Sequence, residues 1–469
     1  MTYHRAALFF TLLATPFSPL LAAEEEIHIS DFTGNWAGIA CLIVFALAYF
    51  LAVWEESLSL RKSKPVLVGA GVIWALVAVA YVQHGDTHTA EGVFRVGLEQ
   101  FTELFLFLLA AMTYVNAMSE RGVFAALRGW LISRDLTLRQ VYWMLGGLTF
   151  FISPLTENFT TALLMATVVV TVGGTNKKFV LAACINVVVA ANAGGVFSPF
   201  GDITTLMVWQ RGIVEFQDFF TLFVPALVNW LVPATILSFI VPAGKPQADE
   251  QGVGLQQGAW TIIGLFAASI ALAVSLEHFL NLPAVIGMMT GLGVLKLYGY
   301  FLKRRGVSHI SATSSPGEKS SFDIFRSLER AEWDTLMFLY GILMCVAGLS
   351  AMGYLVLGSE LTYGQFGPTT ANVGVGLLSA LVENVPVMFA VLTMHPDMNS
   401  AQWLLVTLTA GVGGSLLSIG SAAGIAVMGQ SRGVYTFFTH LRWSWAVALG
   451  YFMSIWVHMI LNASQFGAQ

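Results

Sequence analysis

The sequence predicts an all-α polytopic membrane protein of two inverted repeats, each with five crossings, a re-entrant hairpin and a broken helix. Three observations lead there. Long apolar runs recur along the chain, positive charge gathers on one side of them, and three pairs of short motifs return in the same order. The chain has 469 residues, 56% hydrophobic and 10% charged, against about 25% charged in a soluble domain. A soluble core of that composition would leave large apolar surfaces in water, whereas a bilayer accepts spans of about 20 apolar residues. The net charge of −5 is less informative than where the charges lie.

At the N-terminus, His4 and Arg5 precede an apolar run from Ala6 to Leu21, and Ala22-Ala23 precedes Glu24-Glu25-Glu26. This pattern reads as a secretory signal, residues 1–23; an uncleaved first helix is the alternative. Either way, residues 24–35 lie outside the cytoplasm. Apolar runs follow at 36–54, 66–83, 93–117, 179–209, 219–241, 259–276, 283–301, 333–355, 402–428 and 441–461. They far exceed the roughly ten-residue strands of membrane barrels, so the spans are helices. Two further apolar stretches, 141–172 and 368–394, are interrupted near their centres by polar residues.

Suppose the ten runs cross while the two interrupted stretches dip in and return on the same side. Then 19 of the 22 Lys and Arg residues fall in the cytoplasm, Arg95 and Arg211 fall outside, and Arg5 belongs to the signal. Positive charge in short loops sets orientation. Full crossings would instead put Lys177, Lys178 and the basic cluster within 303–330 outside, so the re-entrant reading is preferred. The predicted organisation is one repeat at 36–241, a connector at 242–258 and a second repeat at 259–461, with a polar cytoplasmic loop at 303–331. Cys41, Cys184 and Cys345 lie far apart in apolar stretches and match neither disulfide nor zinc spacing. His84, His88, His278 and His395 fall in or beside outside loops, where solvated side chains are expected.

The repeat shows in three motif pairs. Glu99, Thr102, Phe105 and Leu106 return as Glu332, Thr335, Phe338 and Leu339, at an offset of 233. Glu157-Asn158 returns as Glu383-Asn384 at 226, and Gly194, Gly195 and Gly201 return as Gly413, Gly414 and Gly420 at 219. Five crossings is an odd number, so the second half must sit upside down relative to the first. Inverted repeats are the architecture of alternating-access transporters, with the site at their interface near the midplane.

The interruptions carry the chemistry. One hairpin tip is predicted at Ser153-Pro154-Leu155-Thr156-Glu157-Asn158 and the other at Glu383-Asn384-Val385-Pro386. Proline removes an amide donor and breaks the helix. The runs at 179–209 and 402–428 are broken by Asn192 to Thr205 and by Gly411 to Ser421. Irregular backbone at membrane depth is tolerated only inside protein or along a wet cavity, and it offers the carbonyls and hydroxyls that suit a hard cation. Glu157, Asp202 and Glu383 are the sharp candidates. An intramembrane carboxylate is costly and its default reading is functional; it can hold either a proton or a cation, and that competition is enough for exchange. The alternative is a glutamate placed at a half-helix N-terminus for its dipole. Asn158, Asn192, Asn384, Thr204, Thr205, Ser418 and Ser421 are candidate ligands, against ordinary inter-helix hydrogen bonding. Glu99, Glu103, Glu332 and Asp334 are expected at the starts of equivalent helices, with Glu103 deepest and a candidate for proton access.

These residues carry a resemblance. A hairpin with Thr156-Glu157-Asn158, a following helix with Asn192 to Asp202 and a second hairpin with Val382 to Pro386 resemble the NhaD-type Na⁺/H⁺ antiporters. That family belongs to the ion transporter superfamily, with arsenite permeases and dicarboxylate and citrate carriers. The resemblance runs from about residue 36 to the end and is most specific at 192–205. It implies an elevator-like fold, a homodimer, and exchange of Na⁺ or Li⁺ for H⁺ across the inner membrane, most useful at high pH. The family often has Asp at the first hairpin tip, where this chain has Glu157. No cofactor and no nucleic-acid partner are expected.

The competing reading is an organic-anion or oxyanion carrier on the same fold. Such a site should offer neutral tips or a cationic residue, but both tips here carry Glu, and no Lys or Arg is expected near any broken element. An anion beside unneutralised carboxylates is disfavoured. An enzyme is not expected, because the chain has no His-Glu-x-x-His and no Gly-x-Ser-x-Gly motif.

Overall fold

The computed structural model describes residues 30–58, 60–86, 88–133, 136–245, 255–304, 308–309, 320–321, 329, 331–431 and 433–466. The expected signal 1–23, much of the loop 303–331, part of the connector 242–258, and Arg134, Arg305, Lys319, Arg326, Arg330 and Arg432 lie outside the described residues. Among the described residues, nine helices are long and apolar enough to cross a membrane.

The first half runs α1 (Trp36–Val53), α2 (Ser63–Gln83), α3 (Thr89–Glu120), α4 (Val123–Ser133), α5 (Leu138–Thr156), α6 (Asn158–Gly173), α7 (Lys177–Gly195), α8 (Ile203–Gln210) and α9 (Phe223–Ser238). After it come α10 (Ala259–Leu280), α11 (Ala284–Arg304), α12 (Trp333–Ala351), α13 (Tyr354–Ser359), α14 (Gln365–Ser379), α15 (Asn384–Met394), α16 (Ser400–Gly413), α17 (Ala422–Gln430), α18 (Phe437–Leu441) and α19 (Ser444–Leu461). In each half, two long helices and a third lead to a helical hairpin, a helix broken near its centre, and a closing helix. The halves interlock, with α2 against α12, α3 against α11 and α9 against α19.

Local chemistry sets several starts. The Asn35 side chain accepts from the Ala37 amide at the head of α1. Thr137 and Gln140 form a reciprocal capping box at the head of α5. Burial then sorts the helices. α7 is buried from Ala182 through Gly195 without interruption, which suits a helix apolar on all sides. α1 buries one stripe and leaves Trp36, Ile43, Leu47 and Phe50 exposed, as a helix facing lipid should.

The predicted hairpins are present, but their turns differ from expectation. α5 continues through Ser153-Pro154-Leu155-Thr156, and only Glu157, at φ 69°, ψ 144°, leaves the helical region. Pro154 supplies no amide for the Phe150 carbonyl four residues back. That carbonyl faces Gly194 of α7, where any Cβ would collide with it. The second half repeats this approach, with Gly413 of α16 against the Gly376 carbonyl of α14. The second tip spans 380–383, and Pro386 falls in the first turn of α15, where a missing amide is tolerated.

A further correction concerns the acidic residues of α3. Glu332 directly precedes α12 and Asp334 lies in its first turn, as expected. α3, however, begins at Thr89, so Glu99 and Glu103 sit well inside that helix and not at its start. His84, His88, His278 and His395 are exposed.

The Gly194 contact makes a direct test. Gly194→Val should force α7 away from α5 and destabilise the detergent-solubilised protein by about 1–3 kcal/mol or more, as overpacking does. A thermal melt followed by size-exclusion fluorescence reads the shift, whereas Gly293→Val, at a position with open space around it, should leave the melt unchanged.

Candidate functional site

Both broken helices close in the same way. In the first, a Cβ on Gly195 would lie 2.7 Å from the Gly201 carbonyl oxygen; in the second, a Cβ on Gly414 would lie 2.7 Å from that of Gly420. The next residue in each caps the following half-helix. Asp202 has φ −146°, ψ 147° and accepts from the Thr204 amide; Ser421 has φ −141°, ψ 149° and accepts from the Gly424 amide. Glycine is required where the chain passes this close to itself.

Asp202 is the centre of the arrangement and is 2% exposed. Its Oδ1 accepts from the Thr204 amide at 2.9 Å and the Thr204 hydroxyl at 3.0 Å. Its Oδ2 accepts from Asn158 Nδ2 at 2.6 Å and Asn384 Nδ2 at 3.0 Å. These two asparagines are the first residues of α6 and α15, so the hairpin tips of both halves hold one carboxylate. Asn158 Nδ2 also donates to Asn192 Oδ1 at 3.1 Å. Asn192 Nδ2 in turn donates to the hydroxyls of Ser415 at 2.8 Å and Ser421 at 2.9 Å. The Asn158 amide donates to the Gly201 carbonyl at 2.9 Å, tying the first tip to the first break. The N-termini of α6, α8, α15 and α17 therefore gather around Asp202, and their positive ends favour its charge.

Glu157 stands beside this network. Its positive φ is uncommon outside glycine, and backbone of this kind costs of order 1–3 kcal/mol and clusters at functional sites. Its carboxylate accepts from the Thr160 hydroxyl at 3.2 Å, and its carbonyl accepts from the Thr161 hydroxyl at 2.8 Å. Glu157, Asp202 and Glu383 line one cavity of about 20 Å³ with Asn158, Asn384 and Thr335, room for about one water-sized occupant. Among the described residues, no three acidic, His or Cys side chains converge as a resident metal centre would. Among the described residues, Asp202 accepts from uncharged donors: two asparagine side chains, one backbone amide and one hydroxyl.

Other expected residues lie elsewhere. The Thr205 hydroxyl bonds the carbonyls of Ser198 and Asp202 at 2.9 and 2.7 Å, bracing the break. The Ser418 hydroxyl faces the Met428 sulfur at 3.5 Å and makes no bond to Asp202. Glu103 lines a separate cavity of about 30 Å³ with Gln100, Gln210, Arg211 and Phe389.

Sequence reasoning missed three contributors. Ser415 lies inside the second break, yet nothing in its immediate neighbours marks it as the partner of Asn192. Lys62 Nζ sits 3.2 Å from Glu383 Oε1, and the Tyr49 hydroxyl accepts from the Glu383 amide at 3.1 Å. The expectation that no Lys or Arg lies near a broken element is thereby overturned. Lys62 is 321 residues from Glu383 in sequence, and the packing of α2 and α15 on α12 brings them together.

A family model described as a citrate transporter (CitMHS) matches residues 49–411. The Na⁺/H⁺ antiporter NhaD of Vibrio cholerae is 51% identical over 99% of this chain and 100% of its own length. That of Alkalimonas amylolytica is 49% identical over 98% of this chain and 97% of its own. Sodium/proton antiporter 1 of Arabidopsis thaliana is 28% identical over 86% of this chain and 69% of its own.

The strain at Glu157 is separable from its charge. Glu157→Gly and Glu157→Ala both remove the carboxylate, but only glycine adopts this φ freely. The alanine variant should therefore melt below the glycine variant, by a margin corresponding to about 1–2 kcal/mol; equal melting would mean that the tip relaxes.

Proposed function

The chain belongs to the NhaD-type Na⁺/H⁺ antiporters, and from that membership we propose the site at which Na⁺ and H⁺ compete. It is a multi-pass protein of the bacterial inner membrane and exchanges Na⁺ for H⁺. The proposed site is the small cavity between the hairpin tips and the first break. Asp202 and Glu157 carry the exchangeable proton there, and Asn158, Asn192, Asn384, Thr204 and the hydroxyls of the second break orient them. The observation that carries this reading is Asp202 itself, a buried carboxylate bonded by asparagines from both hairpin tips.

In the proposed cycle Na⁺, or Li⁺, enters from the cytoplasm and displaces protons from Asp202 and Glu157. The loaded site then turns outward by alternating access of the two repeats, releases the cation and is reprotonated. Glu103, in its separate cavity, is proposed to serve proton access from outside. Thr205 and Ser421 brace the backbone breaks in this scheme, and Ser418, facing the Met428 sulfur, has no part in it. The cargo is the cation and H⁺, and the cycle calls for no cofactor. The resemblance also implies a homodimer, which crosslinking in the membrane tests.

The citrate-transporter description of the family model favours a second reading, organic-anion transport. Against it, three carboxylates line the cavity, and the nearby ammonium of Lys62 is already paired with Glu383. A carboxylate substrate would meet unneutralised negative charge.

Two outcomes follow in everted vesicles from antiporter-deficient cells, read by dequenching of a ΔpH dye. Asp202→Asn should reduce the Na⁺- and Li⁺-dependent signal to that of vesicles without antiporter while the protein remains inserted. Full exchange in that variant would remove Asp202 from the mechanism. Competition also fixes a sign with pH. Lowering the pH loads the carboxylates with protons, so the apparent KM for Na⁺ should rise, toward about tenfold per pH unit for each proton displaced. A KM independent of pH would separate the proton and cation sites.

A further inference from the structure

A second, larger cavity adjoins the site. It measures about 520 Å³ and is walled by Tyr49, Ala52 and Val53 of α1, Phe338 of α12, Ile425 and Met428 of α17, and Phe437 and Phe438. Two charged side chains of opposite sign meet on its wall, Lys62 and Glu383. Glu383 also lines the small cavity that holds Glu157 and Asp202. It therefore stands on the boundary between the two spaces. The large cavity lies beside the α1–α2 turn, with Arg61, Lys62 and Lys64, which the distribution of positive charge places in the cytoplasm.

The pairing at this boundary is close. Lys62 Nζ lies 3.2 and 3.4 Å from the two carboxylate oxygens of Glu383, and the side chains are 14% and 12% exposed. The ammonium also sits 4.5 Å over the Phe338 ring, a further attraction for a cation. Glu383 caps α15 without bonding its own helix amides, so its carboxylate is spent on Lys62 and not on the helix end. Lys62 has other acidic neighbours. Glu55 lines the same cavity, and Glu55 and Glu332 both lie within electrostatic range of it. If a mobile cation took Glu383, the ammonium would still have carboxylates nearby.

We infer that Lys62 is a built-in competitor of the transported cation, occupying Glu383 until Na⁺ arriving through the large cavity displaces it. Lys62 thereby sets the apparent affinity for Na⁺ at the cytoplasmic face. Its point charge on a flexible stem leaves more readily than a guanidinium fork, which would hold the carboxylate with two hydrogen bonds. The inference rests on the reading that the site lies between Glu157, Asp202 and Glu383.

Everted vesicles expose the cytoplasmic face, so their Na⁺ titration reads this step. Lys62→Met should lower the apparent KM for Na⁺ about three- to tenfold, the range set by loss of a largely buried ion pair. Lys62→Arg should raise it, because the competitor is held more firmly. A KM that stays at the wild-type value in both variants, with turnover and melting temperature lowered by Met and restored by Arg, would make the pair a structural brace and overturn the inference. A KM that rises in Lys62→Met would also overturn it, by showing that the ammonium assists entry. If Lys62→Met fails to insert, Lys62→Arg alone decides, since only competition predicts a higher KM with the charge retained. Exchange that persists in Asp202→Asn strikes the site itself, whereas an unmoved KM in the Lys62 variants, with Asp202→Asn inactive, strikes this inference alone.

Discussion

Asn158 and Asn384 each give a side-chain amide to one oxygen of Asp202, and much of the molecule is arranged so that they can. An unpaired carboxylate at membrane depth costs several kcal/mol by the most lenient measures. Four hydrogen-bond donors and the N-termini of four half-helices offset that cost without a fixed countercharge. Neutral donors hold the carboxylate without cancelling its charge, which in the proposed scheme leaves H⁺ and Na⁺ to compete for it.

Bringing those donors together demands breaks in helices, and broken backbone cannot face lipid. This explains why α7 is buried along almost its whole length while α1 keeps an exposed apolar face. It also explains where glycine is needed. Gly194 and Gly413 let the helices before the breaks touch carbonyls of the hairpins, and Gly195 and Gly414 let each break close on itself. The hairpins, the breaks and the outer helices thus answer one electrostatic demand at the centre.

Much of this was legible in the sequence because membranes impose long, simple patterns. The apolar runs, the interrupted stretches and the two glycine motifs each survive as helices, hairpins and breaks, and the offset of 219 between Asp202 and Ser421 returns as matching cap geometry. What was not legible falls into two kinds. The first hairpin tip differs from expectation because Gly194 of α7 lets the Phe150 carbonyl, left without an amide by Pro154, sit against α7 inside a continuing helix. The ion pair of Lys62 with Glu383, and the bond from Asn192 to Ser415, depend on contacts hundreds of residues apart. Charge counting along the chain assigned Lys62 to a cytoplasmic end and could say nothing of what it touches.

The two breaks match in cap geometry but not in charge. Asp202 and Ser421 occupy the same cap position in the two breaks, yet only one is acidic. Glu157 and Glu383 occupy the same tip position, yet Glu383 has Lys62 and Glu157 has the Thr160 hydroxyl. With aspartate at both caps, two carboxylates would flank Asn192, which now donates to Ser421 and accepts from Asn158. Repulsion between them would call for a permanent proton or a second cation. Lys62 pairs with Glu383, whereas the hydrogen bonds to the carboxylates of Asp202 and Glu157 come from uncharged donors. In the proposed cycle, two geometrically matched breaks carry one asymmetric pair of carboxylates from one face to the other.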